Sequence, residues 1–224
     1  MPVADDTTTE SLATEVLEVL LSTEETASVS PAEILRRIPA PDAAVDAAVT
    51  HLLDAGTAVP AADGHGLVLS EAGRRRAVDA VRRHRLTERL LADVIGLEWW
   101  KVHHEAARWE GILSDDVADR VVDLLDDPGT CPHGNPIPGS ANLPDQSSAV
   151  RLAEAPPGPV HVVRVTETIE GDDEALQLLQ GAGVVPGDDA EVQAHRDGWV
   201  LVAGSVLDAA LPPHVAAHTY VTPR

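Results

Sequence analysis

The chain predicts a mainly α protein with a small β domain, arranged as a winged helix-turn-helix, a helical dimerisation domain and a carboxy-terminal SH3-like barrel. Three observations predict it. Apolar residues recur at helical spacing through most of residues 10–125; one pair of short strand-like runs follows the third helix; and longer alternating runs with glycine turns are confined to the last third. At 224 residues and 23.6 kDa the chain is too long for one small core, so several compact units are expected.

Residues 1–9 are polar and acidic and read as a frayed leader. A helix over about 10–22 follows, with Leu12, Val16, Val19 and Leu20 on one face. Ser30-Pro31-Ala32-Glu33 combines a serine cap, a proline at the first position and an acid in the first turn, so it starts a short helix over 31–38. Pro39 and Pro41 break the chain, and a third helix runs from about Asp42 to a stop at Ala55-Gly56. Runs at 57–59 and 67–69, joined by PAADGHG, form a hairpin. Three helices and a hairpin make a winged helix-turn-helix domain at 1–73.

The next domain, 74–140, is helical. A long helix carries Arg74 to about Asp93, a second starts near Glu98 or Trp99, and a third covers about 115–125. Val81, Leu86, Leu90, Leu91, Val117, Val121 and Leu125 are among enough apolar residues for a core plus a partner surface, with Trp99, Trp100 and Trp109 at one or the other. The long helix also carries ligand chemistry. His84 and Glu88 are four apart and stack one turn from each other on one face. His103 shares a stripe of the second helix with Ala107 and Glu110, so a metal between the helices would see His84, Glu88 and His103. Two imidazoles and a carboxylate suit zinc, iron, manganese or nickel better than calcium or magnesium. The same spacing also fits two solvated side chains. The arginines Arg74, Arg75, Arg76, Arg82 and Arg83 read as a solvated basic face paired with the chain's own acids.

Residues 126–159 are dense in proline, glycine and serine, and the linker proper is drawn at 141–159. Cys131-Pro132-His133 offers two donors, but in a proline-rich turn they read as packed linker. In the last domain, 160–224, a strand is expected over 160–169, a helix over 173–180, a turn at 181–186 into a second strand, strands at 191–194 and 199–203 around a hairpin loop at 195–198, and a closing strand at Tyr220 and Val221. Together these make a five-stranded, SH3-like barrel.

The formal net charge is −21, Lys101 is the only lysine, and residues 1–73 hold two arginines, Arg36 and Arg37, against thirteen acids. Such a balance opposes nucleic acid, whose affinity comes largely from phosphate neutralisation. The third helix offers Asp42, Asp46, Thr50, His51 and Asp54, with no arginine or lysine to reach base edges or phosphates. Cys131 is the only cysteine, which excludes an internal disulfide and a cysteine-only metal cluster. No apolar run approaches membrane-helix length and the amino terminus is acidic, which points to the cytoplasm and to no membrane partner. There is no glycine-rich phosphate loop, and Ser205 has no recognisable base beside it, so no enzymatic activity is expected.

Six blocks carry a resemblance: HRLTERLL at 84–91, IGL at 95–97, Val102-His103 with Glu105-Ala106, RWE at 108–110, LSD at 113–115 and GNPIPG at 134–139. In that order they resemble the diphtheria-toxin-repressor family of metal-dependent transcription regulators, which includes the iron-dependent and manganese-dependent repressors. The resemblance implies a homodimer that binds operator DNA in response to ferrous iron or manganese, with zinc, cobalt or nickel able to substitute in vitro. It also implies an SH3-like (FeoA-like) third domain. The family's ancillary site maps onto His84, Glu88 and His103, and aligning Gln177-Leu178-Leu179 puts Glu174 in the remaining ligand position, with Glu170 or Gln177 as alternatives. Neighbouring anion contacts map onto Arg85 and Asn135, with Cys131 where a serine is expected. The family's primary site retains only Glu110; its other positions fall on Ala107, Gly111 and Ser11 or Leu12, none a match to the family ligand, so that site is expected to be lost. The acidic third helix supports the alternative of a metal-binding or protein-interaction dimer that has lost operator binding.

Overall fold

The structure, a computed structural model, describes residues 6–23, 28–38, 40–62, 64–109 and 113–224. Two compact units divide the chain, 1–82 and 83–224. Among the described residues no helix is long and apolar enough to cross a membrane.

The first unit holds α1 (Asp6–Thr23), α2 (Pro31–Arg37), α3 (Asp42–Asp54), β1 (Ala58–Pro60), β2 (Leu67–Leu69) and the start of α4 (Glu71–Arg89). Ser30 caps α2 as its sequence promised, its hydroxyl accepting from the Glu33 amide at 3.2 Å. Leu12, Val16, Leu17 and Leu20 of α1 meet Ile34, Val45, Ala48 and Leu52 in one core, each at the three-and-four spacing that puts a residue on a single helix face. β1 and β2 pair antiparallel, and Val29 adds a bridge to Leu67. The wing is therefore tied back to the segment before α2. Gly73 lies where a Cβ would come 1.9 Å from the Thr57 carbonyl oxygen, so only glycine lets α4 start against that turn.

In the second unit α4 continues as a π-helical segment, Leu90–Ile95, which Gly96 ends in the left-handed conformation at φ 78°. A 3₁₀ turn, Trp99–Lys101, leads into α5 (Val102–Trp109), and α6 (Asp115–Leu124) follows. Leu86, Ala118, Val121 and Ile137 make one small core, while Leu91, Val102 and Ala106 make another with Trp109 packed on it. Basic residues of α4 are paired, Arg75 with Glu71 and Arg83 with Asp115. Glu110 and Gly111 lie outside the described residues.

The carboxy-terminal part is a small SH3-like β domain. Its elements are β3 (Val150–Arg151), β4 (Gly158–Val165), α7 (Glu167–Glu170), α8 (Asp173–Ala182), β5 (Asp189–Arg196), β6 (Trp199–Ala203), β7 (Asp208–Leu211), α9 (Pro213–His218) and β8 (Thr219–Pro223). The sheet has six antiparallel strands in the order β3-β8-β4-β5-β6-β7, one more than the five expected. The DAAL of β7 has no β-branched or aromatic residue, so propensity is silent and only its pairing with β6 makes it a strand. Nor does the first strand extend to 169. Its ladder stops at Val165, where Thr166 turns to bond His218 through both backbone and hydroxyl, and the next residues form α7. A bulge between Val162 and Arg164 shifts the inward face from Val160 and Val162 to Val165. Trp99 and Trp100 pack on this domain's core.

Candidate metal centre

His84 and Glu88 occupy one face of α4, one turn apart, and both are buried. The side chain of His103 enters from the first turn of α5, and Glu170 is the last residue of α7. Their ligand atoms converge. His84 Nε2 lies 3.1 Å from His103 Nδ1 and 3.3 Å from Glu88 Oε1, while His103 Nδ1 lies 3.4 Å from Glu88 Oε1 and 3.2 Å from Glu170 Oε2. Ligand atoms held at ~2.0–2.2 Å from one transition-metal ion sit roughly 3.0–3.5 Å from one another, so these distances are those of a coordination shell. Glu88 is 0% exposed, and neither of its carboxylate oxygens has a hydrogen-bond partner among the described residues. A carboxylate so buried costs several kcal/mol unless a cation compensates it. The donor set of two imidazoles and two carboxylates suits iron, manganese, zinc, cobalt or nickel.

Electrostatics supports the same reading. Burial would push the Glu88 carboxyl up, but the imidazoles of His133, His84 and His103 outweigh it and hold the group well below its usual range. Burial would likewise lower His103, yet its contacts with Glu170 and Glu88 hold it at about 10. Without a metal, a proton on His103 supplies the cation that the two carboxylates demand.

The surroundings fix the ligands. Asn135 donates from Nδ2 to Glu170 Oε1 at 2.5 Å and to the Val165 carbonyl at 2.8 Å, which orients Glu170 toward the imidazoles. Arg85 donates to the carboxylate of Glu167 and to the Pro136 carbonyl, and Arg164 reaches the Asn135 side-chain oxygen at 3.4 Å. The residues mapped as anion contacts are thus engaged with the protein's own carboxylates.

Glu174 and Gln177 are not brought to the cluster. Ala175, Leu176, Leu179 and Ala182 are the buried face of α8, which turns Glu174 and Gln177 outward to solvent. Asp172 caps that helix from its side chain, and the break before it leaves Glu170 on the separate helix α7. The apolar spacing of α8 was the signal that could have excluded Glu174. Of the residues mapped to the primary site, Leu12 is buried in the first unit's core and Ala107 is half-buried on α5.

His133 and Cys131 depart from their reading as plain linker. Both are buried, and with Glu88 they bring an imidazole nitrogen, a thiol sulfur and a carboxylate oxygen within 4.8 Å of one another.

A family model described as "Iron dependent repressor, metal binding and dimerisation domain" matches residues 70–139. The iron-dependent repressor IdeR of Mycobacterium tuberculosis is 41% identical over 197 residues, spanning 84% of this chain and 85% of that protein. The diphtheria toxin repressor of Corynebacterium diphtheriae is 34% identical over 196 residues, with the same coverage of 84% and 85%. A solved structure of a manganese-dependent transcriptional repressor in complex with manganese is similar at a TM-score of 0.79 and 27% identity, covering 95% of this chain and 100% of that one.

Proposed function

The chain belongs to the iron-dependent, or diphtheria-toxin, repressor family of metal-dependent transcription regulators, and from that premise we propose that it is a cytoplasmic homodimeric DNA-binding regulator governed by iron or manganese. His84, Glu88, His103 and Glu170 would hold the ion. The observation that carries this reading is the buried Glu88 carboxylate, without a hydrogen bond among the described residues and surrounded by imidazoles at coordination distances. A bound divalent ion supplies the positive charge these carboxylates need. Around it, the chain's own residues do the rest: α4 contributes two ligands, α5 and α7 one each, and Asn135 holds Glu170 in its orientation. We assign 1–73 to DNA, 74–140 to dimerisation and metal, 141–159 to a linker and 160–224 to the SH3-like domain that lends Glu170. This regulator role assigns no catalytic residue.

One observation favours a second reading, in which the same dimer binds metal or a protein partner but has lost operator recognition. The outward face of α3 presents Asp42, Asp46, Thr50, His51 and Asp54, and Arg36 and Arg37 of α2 already pair with Glu33. A reading helix that faces phosphates with three acids starts with the largest affinity term reversed.

Selection of genomic fragments by the purified protein, with and without manganese or ferrous iron, separates the two. Enrichment of one palindrome that depends on metal is the expected result. Absence of any enrichment at low salt in either condition sinks the regulator reading in favour of the second.

A further inference from the structure

We propose that Cys131 and His133, together with the Glu88 carboxylate, form a second, thiolate-containing metal site beside the first. All three side chains are buried, and one ligand atom from each lies within 4.8 Å of the others. His133 Nδ1 lies 3.2 Å from Glu88 Oε1, an ion-pair distance without hydrogen-bond geometry, and His133 Nε2 and both oxygens of Glu88 have no hydrogen-bond partner among the described residues. Orphaned polar atoms at this depth mark a missing cation more readily than a packed core, since an imidazole kept for packing would still satisfy one nitrogen.

The backbone presents the pair deliberately. The Gly134 amide donates to the Cys131 carbonyl at 2.9 Å and the Cys131 amide to the Asn135 carbonyl at 2.9 Å, closing a tight turn. Gly134 takes φ 85°, and a Cβ there would come 2.1 Å from the Val163 carbonyl oxygen, so the turn seats directly on β4. The Val165 amide donates to the His133 carbonyl and the Trp99 indole to the Pro132 carbonyl, both at 2.9 Å. The Trp99 ring also packs on His133 with centroids 4.9 Å apart. Held this way, two donors with one residue between them aim at α4.

Thiolate, imidazole and carboxylate together select a borderline-soft divalent ion such as zinc or cobalt over magnesium or calcium. Binding replaces the proton of the Cys131 thiol, which leaves for solvent as the metal–sulfur bond forms. The inference rests on Glu88 as a ligand, shared between the two sites, but not on His103 or Glu170.

Cobalt titration of the chelator-stripped full-length protein decides it, because Cys131 is the only cysteine and any thiolate-to-cobalt charge-transfer band must be its own. The wild type is expected to take two cobalt ions per chain with that band. Cys131→Ser and His133→Gln should each lose the band and one ion, whereas His103→Ala should lose one ion and keep the band. A wild type that binds cobalt without the band overturns the proposal. A band that appears with a single ion and disappears in His103→Ala also overturns it, placing the sulfur in the first ion's shell. No cobalt uptake at all refutes the first centre as well. Should Cys131→Ser fail to fold, sulfur scattering at the cobalt edge of the loaded wild type gives the same decision, its absence being fatal.

Discussion

At the scale of single residues, the centre is a contest between burial and charge, and charge wins. His103 is held at about 10 against an ordinary 6.5, so in the metal-free protein it is protonated at neutral pH. Its raised value contributes stability that is fully present below about pH 6.5 and is lost as pH climbs toward 10. Glu88 runs the other way: its lowered value contributes stability present above about pH 4.5 and lost as pH falls below it. The metal-free protein is therefore expected to resist denaturant best between these limits, and a midpoint unchanged from pH 6 to pH 10 would contradict the coupling. Metal binding at pH 7 must displace the His103 proton, so calorimetry in buffers of different ionisation enthalpy should detect at least about one proton released per ion. Asn135→Ala frees Glu170 from its donor and is expected to weaken metal binding about 10–100-fold, as measured by competition with a chelating dye.

Elements decide which of these residues meet. Helical spacing stacks His84 and Glu88 on one face of α4, and that pair was legible in the sequence, whereas His103 joins them from the separate helix α5 through packing. Glu170 was visible only as an alternative to Glu174, because the strand expected through 169 concealed the turn at Thr166 that begins α7. Cys131 and His133 were legible as donors but not as neighbours of Glu88, since nothing local says where an irregular loop packs. Two short strands, β3 of two residues and β7 without a β-branched or aromatic residue, escaped as well, since only their pairing with neighbours makes them strands. Helices with strong stripes did not. In α3, Leu52 is 0% exposed in the first unit's core, and Leu52→Ala should cost about 2–5 kcal/mol in denaturant unfolding.

For the whole molecule the governing quantity is charge. A net −21 opposes nucleic acid, while the family relationship points toward DNA. The acidic outward face of α3 makes that tension measurable. If α3 lies against DNA, Asp46→Arg should raise non-specific affinity and steepen the slope of log affinity against log salt by about 0.9 per added phosphate contact. An unaltered slope across a salt series would show that α3 does not face DNA.

By itself the sequence determined the helical stripes, the caps, the short wing and the pairing of His84 with Glu88, because each depends on residues within a few positions of one another. It carried the family as well, through blocks whose order survives in the chain. Only the tertiary structure decided that Glu170 rather than Glu174 reaches the imidazoles and that Cys131 and His133 stand against Glu88. Those contacts join segments from 84 to 170, and which of many buried surfaces they share is a property of packing and loop path, not of local spacing.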